Sequence, residues 1–253
     1  MKTLAIIPAR LGATRLPRKP LRLLSGVPII VRVVERVTSL RVADRVVVAT
    51  DSAEIADRVR EAGGEAVMTR DSHQSGTDRI AEVAASSQFH DFDAIVNVQG
   101  DEPFVSGAAV RGALAQVTDK AFPLGTAAVS ASPDVLERPD IVKVVATDDG
   151  AAMYFSRAPI PFLRDAGDRA ARDARVLHHI GVYAYTRDSL AQWVTLPTHP
   201  LEQIERLEQL RPLAAGMRMG VAIVQGPVRS GIDTEADLER ANRDWPTFTM
   251  TES

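Results

Sequence analysis

Apolar positions along the chain fall into short runs separated by polar loops, and the spacing inside each run predicts its element. KTLAIIPA, residues 2–9, is a compact apolar run stopped by Pro8 and a polar loop, which predicts a strand. In PIIVRVVERV, the residues Ile29, Ile30, Val33, Val34 and Val37 recur at helical spacing behind Pro28, a first-turn proline, and predict a helix. RVVVATD then reads as a second strand, SAEIADRVREAGG as a helix capped by Ser52 and stopped by glycine, and EAVMT as a third strand. TDRIAEVAASS is the next helix, and DAIVNVQGDEP is a buried strand running into an acidic turn. Such alternation, through about residue 120, predicts right-handed crossover units on a largely parallel sheet with helices on both faces.

The order then changes. GTAAVS, VKVVATDDGAAMYFSR and HHIGVYAYT are strand-like with fewer helices between them, and DDG marks the turn of a hairpin. The segment from about 121 to 200 therefore reads as an antiparallel lobe within a single domain, 1–253. PLEQIERLEQL, VAIVQ and TEADLERANRDW restore the helix, strand, helix pattern. No internal repeat or low-complexity tract interrupts it.

Composition narrows the function. The 253 residues are 45% apolar, enough for a sizeable core. Thirty Lys and Arg against 33 Asp and Glu leave a formal charge of −3, so bulk binding to nucleic acid or an anionic membrane has no support. With no cysteine, thiolate metal sites, disulfides and cysteine nucleophiles are excluded, which fits a reducing compartment. The first apolar run is too short for a signal-peptide core, and none reaches the roughly 18 residues of a membrane span. The expectation is a soluble cytoplasmic protein.

Against that balanced charge, the first loop is locally basic. IIPARLGATRLPRKPL places Arg10, Arg15, Arg18 and Lys19 behind the first strand, on the edge of a parallel sheet where ligands bind. Arg10, Arg15 and Lys19 supply guanidinium forks and an ammonium suited to a polyphosphate, with Gly12 and Ala13 leaving backbone amides open. A solvated basic loop is the plain alternative. Neither G-x-x-x-x-G-K-[ST] nor G-x-G-x-x-G is present, which argues against a Walker-type NTPase and a dinucleotide-binding dehydrogenase.

NVQGDEP offers Asp101 and Glu102 on the same sheet edge, as carboxylates for a hard cation such as Mg²⁺ or as an acidic turn closed by Pro103. Asp233 in GIDTEADLER precedes Thr234 and Asp237, a helix-capping pair, and stands as helix entry, ligand or both. In HQSGTDR, Ser75 and Asp78 form another capping pattern, while Gln74, Ser75 and Arg79 suit base or phosphate recognition. His178 and His179 lack a zinc spacing.

Taken together and in this order, these segments resemble the cytidylyltransferases that activate 3-deoxy-manno-octulosonate (Kdo), the sugar acid of lipopolysaccharide. The resemblance extends from IIPARLGATRLPRKPL through GGEAVMTRDSHQSGTDR, AIVNVQGDEP, MYFSRAPIP and HHIGVYAY to PLEQIERLEQLR and GIDTEADLER. It implies an α/β, Rossmann-like (GT-A-like) nucleotidyltransferase: a three-layer sandwich with a mostly parallel central sheet and a smaller antiparallel lobe. It also implies transfer of CMP from CTP to the anomeric hydroxyl of Kdo with release of pyrophosphate, by a homodimer partly built on the later lobe. By the family pattern Arg10, Arg15 and Lys19 hold the triphosphate, Gln74, Ser75 and Arg79 surround the nucleotide, and Asp101 and Asp233 are magnesium ligands. Catalysis would rest on Arg15, Lys19, Asp101 and Asp233. Gln99, Arg157, His179, Tyr183, Glu208 and Gln209 fall on the sugar-acid side.

Three departures stand out. Arg18 occupies a usual glycine position, His178 a usual arginine or lysine position, and Glu235 a frequent proline position. The alternatives are a cytidylyltransferase for 8-amino-Kdo or a sialic-acid-like substrate, and a nucleotide-binding regulatory protein without turnover.

Overall fold

The computed structural model describes residues 1–12 and 15–248, so the Ala13 amide of the basic loop lies outside the described residues. The chain divides into two compact units, 1–110 with 229–253, and 111–228. In the first, β1 (Thr3–Ala9) is buried along its whole length because it pairs on both sides. A central parallel strand needs such a continuous apolar run. The chain next forms a two-strand hairpin, β2 (Leu23–Leu24) and β3 (Val27–Pro28), and enters α1 (Ile29–Ser39). Pro28 is the cap residue of α1 rather than a member of its first turn, because it is still held in the hairpin. Helix α1 buries Ile29, Ile30, Val33 and Val37, the predicted stripe with Val34 excepted.

Strand β4 (Arg45–Thr50) is followed by α2 (Ala53–Glu61), β5 (Ala66–Met68), α3 (Gly76–Ala85) and β6 (Ala94–Asn97). Parallel pairing in the order β6, β1, β4, β5 forms the sheet of this unit. Ser52 and Ser75 cap α2 and α3 by accepting from Ile55 N (3.4 Å) and Asp78 N (3.1 Å), as their sequence patterns predict.

Helix α4 (Gly107–Thr118) crosses the boundary into the second unit. There β7 (Leu124–Ser130) is followed by the hairpin β8 (Lys143–Ala146) and β9 (Ala152–Ser156), whose turn contains the DDG signal. After α5 (Arg169–Asp173), β10 (Leu177–Thr186) runs antiparallel to both β7 and β8. Helices α6 (Arg187–Thr195), α7 (Pro200–Glu205) and α8 (Leu210–Ala214) lead to β11 (Met219–Val224), parallel to β7.

The single helix suggested by PLEQIERLEQL is two. Arg206 adopts a left-handed conformation (φ 56°) and ends α7. The break brings Arg211 onto both carboxylate oxygens of Glu202, at 2.8 and 2.5 Å. Residues nine apart in a continuous helix point in opposite directions, at 100° per residue, so this buried ion pair requires the interruption.

Returning to the first unit, Thr234 and Asp237 form a reciprocal capping box on α9 (Glu235–Asp244). Glu235, in its first turn, pairs with Arg22 at 2.5 Å. No described helix is long and apolar enough to cross a membrane.

Candidate functional site

Two loops of the first unit, one after β6 and one before α9, bring their carboxylates to the basic loop that follows β1. Lys19 Nζ donates to Asp101 Oδ2 at 2.5 Å and to Asp233 Oδ1 at 2.9 Å, while Arg15 Nη2 donates to Asp233 Oδ2 at 3.1 Å. Burial pulls the Lys19 pKa down, but attraction and hydrogen bonding to Asp101, then to Asp233, outweigh it and leave the ammonium above its ordinary range. Asp233 therefore stands one residue before the cap of α9 and also faces the two cations.

The approach of these loops depends on missing side chains. A Cβ on Gly100 would lie 2.7 Å from the Pro8 carbonyl oxygen, so the turn after β6 can lie against the end of β1 only with glycine there. A Cβ on Gly231 would lie 2.7 Å from Glu102 Oε1 and 3.2 Å from the Asp101 carbonyl, and Ile232 N donates to that same carbonyl at 3.0 Å. Glu102 itself is pushed up to about 8, first by burial and then by the neighbouring charges of Asp101 and Asp233, with Lys19 opposing. Its half-buried setting is a tertiary property that the acidic turn does not reveal.

Other residues proposed from the sequence lie elsewhere in this unit. Arg10 is exposed just beyond β1. Gln74 is exposed and donates to Ser72 O (3.2 Å), while the Ser75 hydroxyl is engaged in capping α3. Arg79 is buried, with Nη2 on Asp51 Oδ2 at 2.7 Å and Nη1 on the Thr69 hydroxyl, so its guanidinium ties together the ends of β4 and β5. Gln99 Nε2 donates to Asn97 Oδ1 at 3.2 Å. Arg18 has the left-handed backbone (φ 57°) that its glycine-like position demands, and its guanidinium pairs with Glu54.

The second unit contains the remaining candidates. His179 is buried, stacks edge-on against Phe155 at 4.8 Å, and lies 5.5 Å from the Tyr183 ring. Burial, assisted by the charge of His178, depresses its pKa to about 3, so the imidazole is neutral. The phenol of Tyr183 is driven well above its usual range by burial and then by Tyr185 and Glu208. Arg157 is held by Glu205: its backbone N donates to Oε2 at 2.9 Å and its Nε to the Glu205 carbonyl at 3.0 Å. Glu208 is exposed, whereas Gln209 is buried with Nε2 lacking a hydrogen-bond partner among the described residues. Glu205 and Lys143 were not singled out in the sequence; the one available signal is a lysine inside the apolar strand VKVV.

A family model described as cytidylyltransferase matches residues 4–219. The 3-deoxy-manno-octulosonate cytidylyltransferase of Gemmatimonas aurantiaca is 61% identical over 253 residues, covering 100% of this chain and 98% of its own. A solved structure of CMP:2-keto-3-deoxy-manno-octonic acid synthetase complexed with CTP has 39% identity and a TM-score of 0.89, over 98% of this chain and 99% of that one. A cytidylyltransferase from Leptospira borgpetersenii serovar Hardjo-bovis, with 17% identity and a TM-score of 0.63, covers 100% of this chain and 90% of its own and is alike in fold.

Proposed function

This chain belongs to the cytidylyltransferase family, and from that premise we propose that it transfers CMP from CTP to the anomeric hydroxyl of Kdo, giving CMP-Kdo and pyrophosphate for lipopolysaccharide synthesis. The observation that carries the chemistry is the meeting of Asp101 and Asp233 on the Lys19 ammonium, with Arg15 beside them.

In the reaction the sugar hydroxyl attacks the α-phosphorus in line with departing pyrophosphate, and negative charge spreads over phosphate oxygens. Lys19 and Arg15 are placed in one loop to neutralise that charge, with Arg10 contributing to the triphosphate. Gln74, Ser75 and Arg79 serve the nucleotide. For Arg79 this service is indirect, since its guanidinium is engaged with Asp51 and Thr69.

Asp101 and Asp233 fit Mg²⁺ because two carboxylate oxygens from separate loops already reach a single cationic atom, and hard oxygen donors are what that ion takes. Among the described residues no three His, Cys, Asp or Glu side chains form a metal-holding group, so further ligands would come from water or phosphate. When bound there, Mg²⁺ would lower the pKa of the sugar hydroxyl and offset phosphate charge.

On the sugar-acid side, Arg157 suits the carboxylate, while Gln99, neutral His179, Tyr183, Glu208 and Gln209 suit hydroxyls. The buried Gln209 Nε2, without a partner among the described residues, supports this reading, since a buried donor is costly until something accepts from it. A homodimer is favoured by large apolar side chains left exposed in the second unit, Met153 (63%), Phe162 (78%) and Ile204 (76%), and light scattering on the purified protein tests it. We place the protein in the cytoplasm, where CTP and a reducing milieu suit a chain without cysteine.

The deciding experiment is pyrophosphate release with Mg²⁺, crossing CTP, UTP and ATP against Kdo, 8-amino-Kdo and N-acetylneuraminate, with an EDTA control. Release with CTP and Kdo alone, abolished by EDTA, is the expected result. Turnover of another acid in place of Kdo would reassign the substrate, and CTP binding without turnover of any acid would overturn the enzyme reading.

A further inference from the structure

Lys143 is fully buried, at 0% exposure, inside the second unit. It occupies a strand between two others, in register with Ser156 of β9 on one side and His178 of β10 on the other. Its Nζ donates to the carbonyls of Ile141 (2.8 Å), Arg138 (3.0 Å) and Arg157 (2.5 Å). An ammonium has three protons, so all are committed to backbone dipoles and none to a carboxylate. A buried lysine is costly to desolvate, and a methionine would fill similar space without that cost. The ammonium must therefore do something that packing alone does not.

The three carbonyls identify the task. Arg138 and Ile141 bound a turn that contains Pro139, and the Pro139 carbonyl accepts from Arg157 Nη1 at 2.9 Å. Lys143 thus grips both the backbone of Arg157 and the turn that holds its guanidinium, while Glu205 secures the Arg157 amide and Nε. The bonds that hold the Arg157 guanidinium use its Nε and Nη1. Immediately before β8, Val142 O accepts from His179 N at 2.9 Å, so the segment that enters this strand also sets the backbone of the buried histidine.

We propose that Lys143 is a positioning residue for sugar-acid recognition, its buried ammonium fixing the Arg157 guanidinium for the substrate carboxylate. This rests on the assignment of Arg157 to that carboxylate in the reading above. The consequence is selective: loss of the ammonium disturbs the acid substrate and leaves CTP alone.

The test compares wild type, Arg157→Ala, Lys143→Met and Lys143→Cys by steady-state pyrophosphate release, with calorimetric CTP titration of each. Because the chain has no cysteine, Lys143→Cys provides a unique thiol. Unfolded and treated with 2-bromoethylamine, the thiolate displaces bromide to form a carbon–sulfur bond, and refolding buries a thialysine that restores the ammonium. Lys143→Met is expected to raise KM for Kdo by about 10- to 100-fold with the CTP affinity unchanged, and thialysine to reverse it. Unchanged KM for Kdo, parallel loss of both substrates, no rescue by thialysine, or failure of both variants to bind CTP would each overturn the proposal. If Arg157→Ala leaves KM for Kdo unaltered, the assignment of Arg157 fails and takes the proposal with it. If Arg157→Ala raises it and Lys143→Met does not, the proposal alone fails.

Discussion

Asp101 and Asp233 share one proton donor: Lys19 Nζ bonds an oxygen of each, at 2.5 and 2.9 Å. The two carboxylates come from distant parts of the chain and repel one another, so the ammonium and the Ile232–Asp101 backbone bond hold the loops together. The geometry makes the cluster responsive to charge. Removing the cation leaves two facing anions, and neutralising a carboxylate leaves Lys19 with one ionic partner fewer.

Lys19→Ala and Asp101→Asn are each expected to lower kcat on the order of 10²–10³, the effect of losing one well-placed electrostatic group. Pyrophosphate release under saturating CTP and Kdo measures it, with circular dichroism to verify folding. A folded variant turning over at close to the wild-type rate would remove that residue from the catalytic set.

Arg18→Gly tests backbone strain. Arg18 has φ 57°, a conformation that costs a residue with a Cβ about 1 kcal/mol and glycine almost nothing. The ion pair with Glu54 that it would forfeit is solvent-exposed and contributes less than about 1 kcal/mol. The expected outcome in urea unfolding is equal or higher stability, by up to about 1 kcal/mol. A clear destabilisation would mean that the Arg18 side chain matters more to this loop than its backbone does.

Where the signal was local, the sequence was readable. The stripe of α1, the caps at Ser52, Ser75 and Thr234, and the DDG hairpin all depend on residues a few positions apart. The break at Arg206 was not readable, because it is required by a pairing of Glu202 with Arg211 that a helical pattern cannot announce. In the same way the acidic turn points to Asp101 but not to Glu102 as a half-buried carboxyl pushed above its usual range, since that setting is decided by Gly231 and the loop from the other end of the chain. Arg79 reads in the sequence as a cation beside the nucleotide; the engagement of its guanidinium with Asp51 and Thr69 is not legible there, because that partnership is set by the ends of neighbouring strands.

Gly231→Ala should push the loop bearing Asp233 away from the turn bearing Asp101. The added methyl would lie 2.7 Å from Glu102 Oε1, and overpacking of this kind costs about 1–3 kcal/mol. Lower stability in urea and slower pyrophosphate release are expected together. Adding Glu102→Ala removes the obstructing carboxyl and should recover part of both; a double variant no better than Gly231→Ala would show that the clash is with the Asp101 backbone instead.

His179 gives stability a particular pH dependence. The Thr126 hydroxyl donates to the Val182 carbonyl at 2.8 Å, so it accepts from His179 Nε2–H at 2.9 Å. A second ring proton would have to enter at Nδ1 in a buried site, which is why the folded pKa lies at about 3 against 6.5 for the free side chain. Between those values the unfolded chain binds a proton that the folded one does not, so stability rises with pH through that window and is lost as pH falls from about 6.5 towards 3. The full shift corresponds to as much as about 5 kcal/mol. His179→Gln keeps an amide donor towards Thr126 and removes the titration. Wild type should be the more stable at pH 7, and its advantage should shrink steadily on acidification as carboxylate effects common to both proteins cancel. Parallel stability curves for the two proteins from pH 7 to pH 4 would show that the buried imidazole contributes nothing to the acid response.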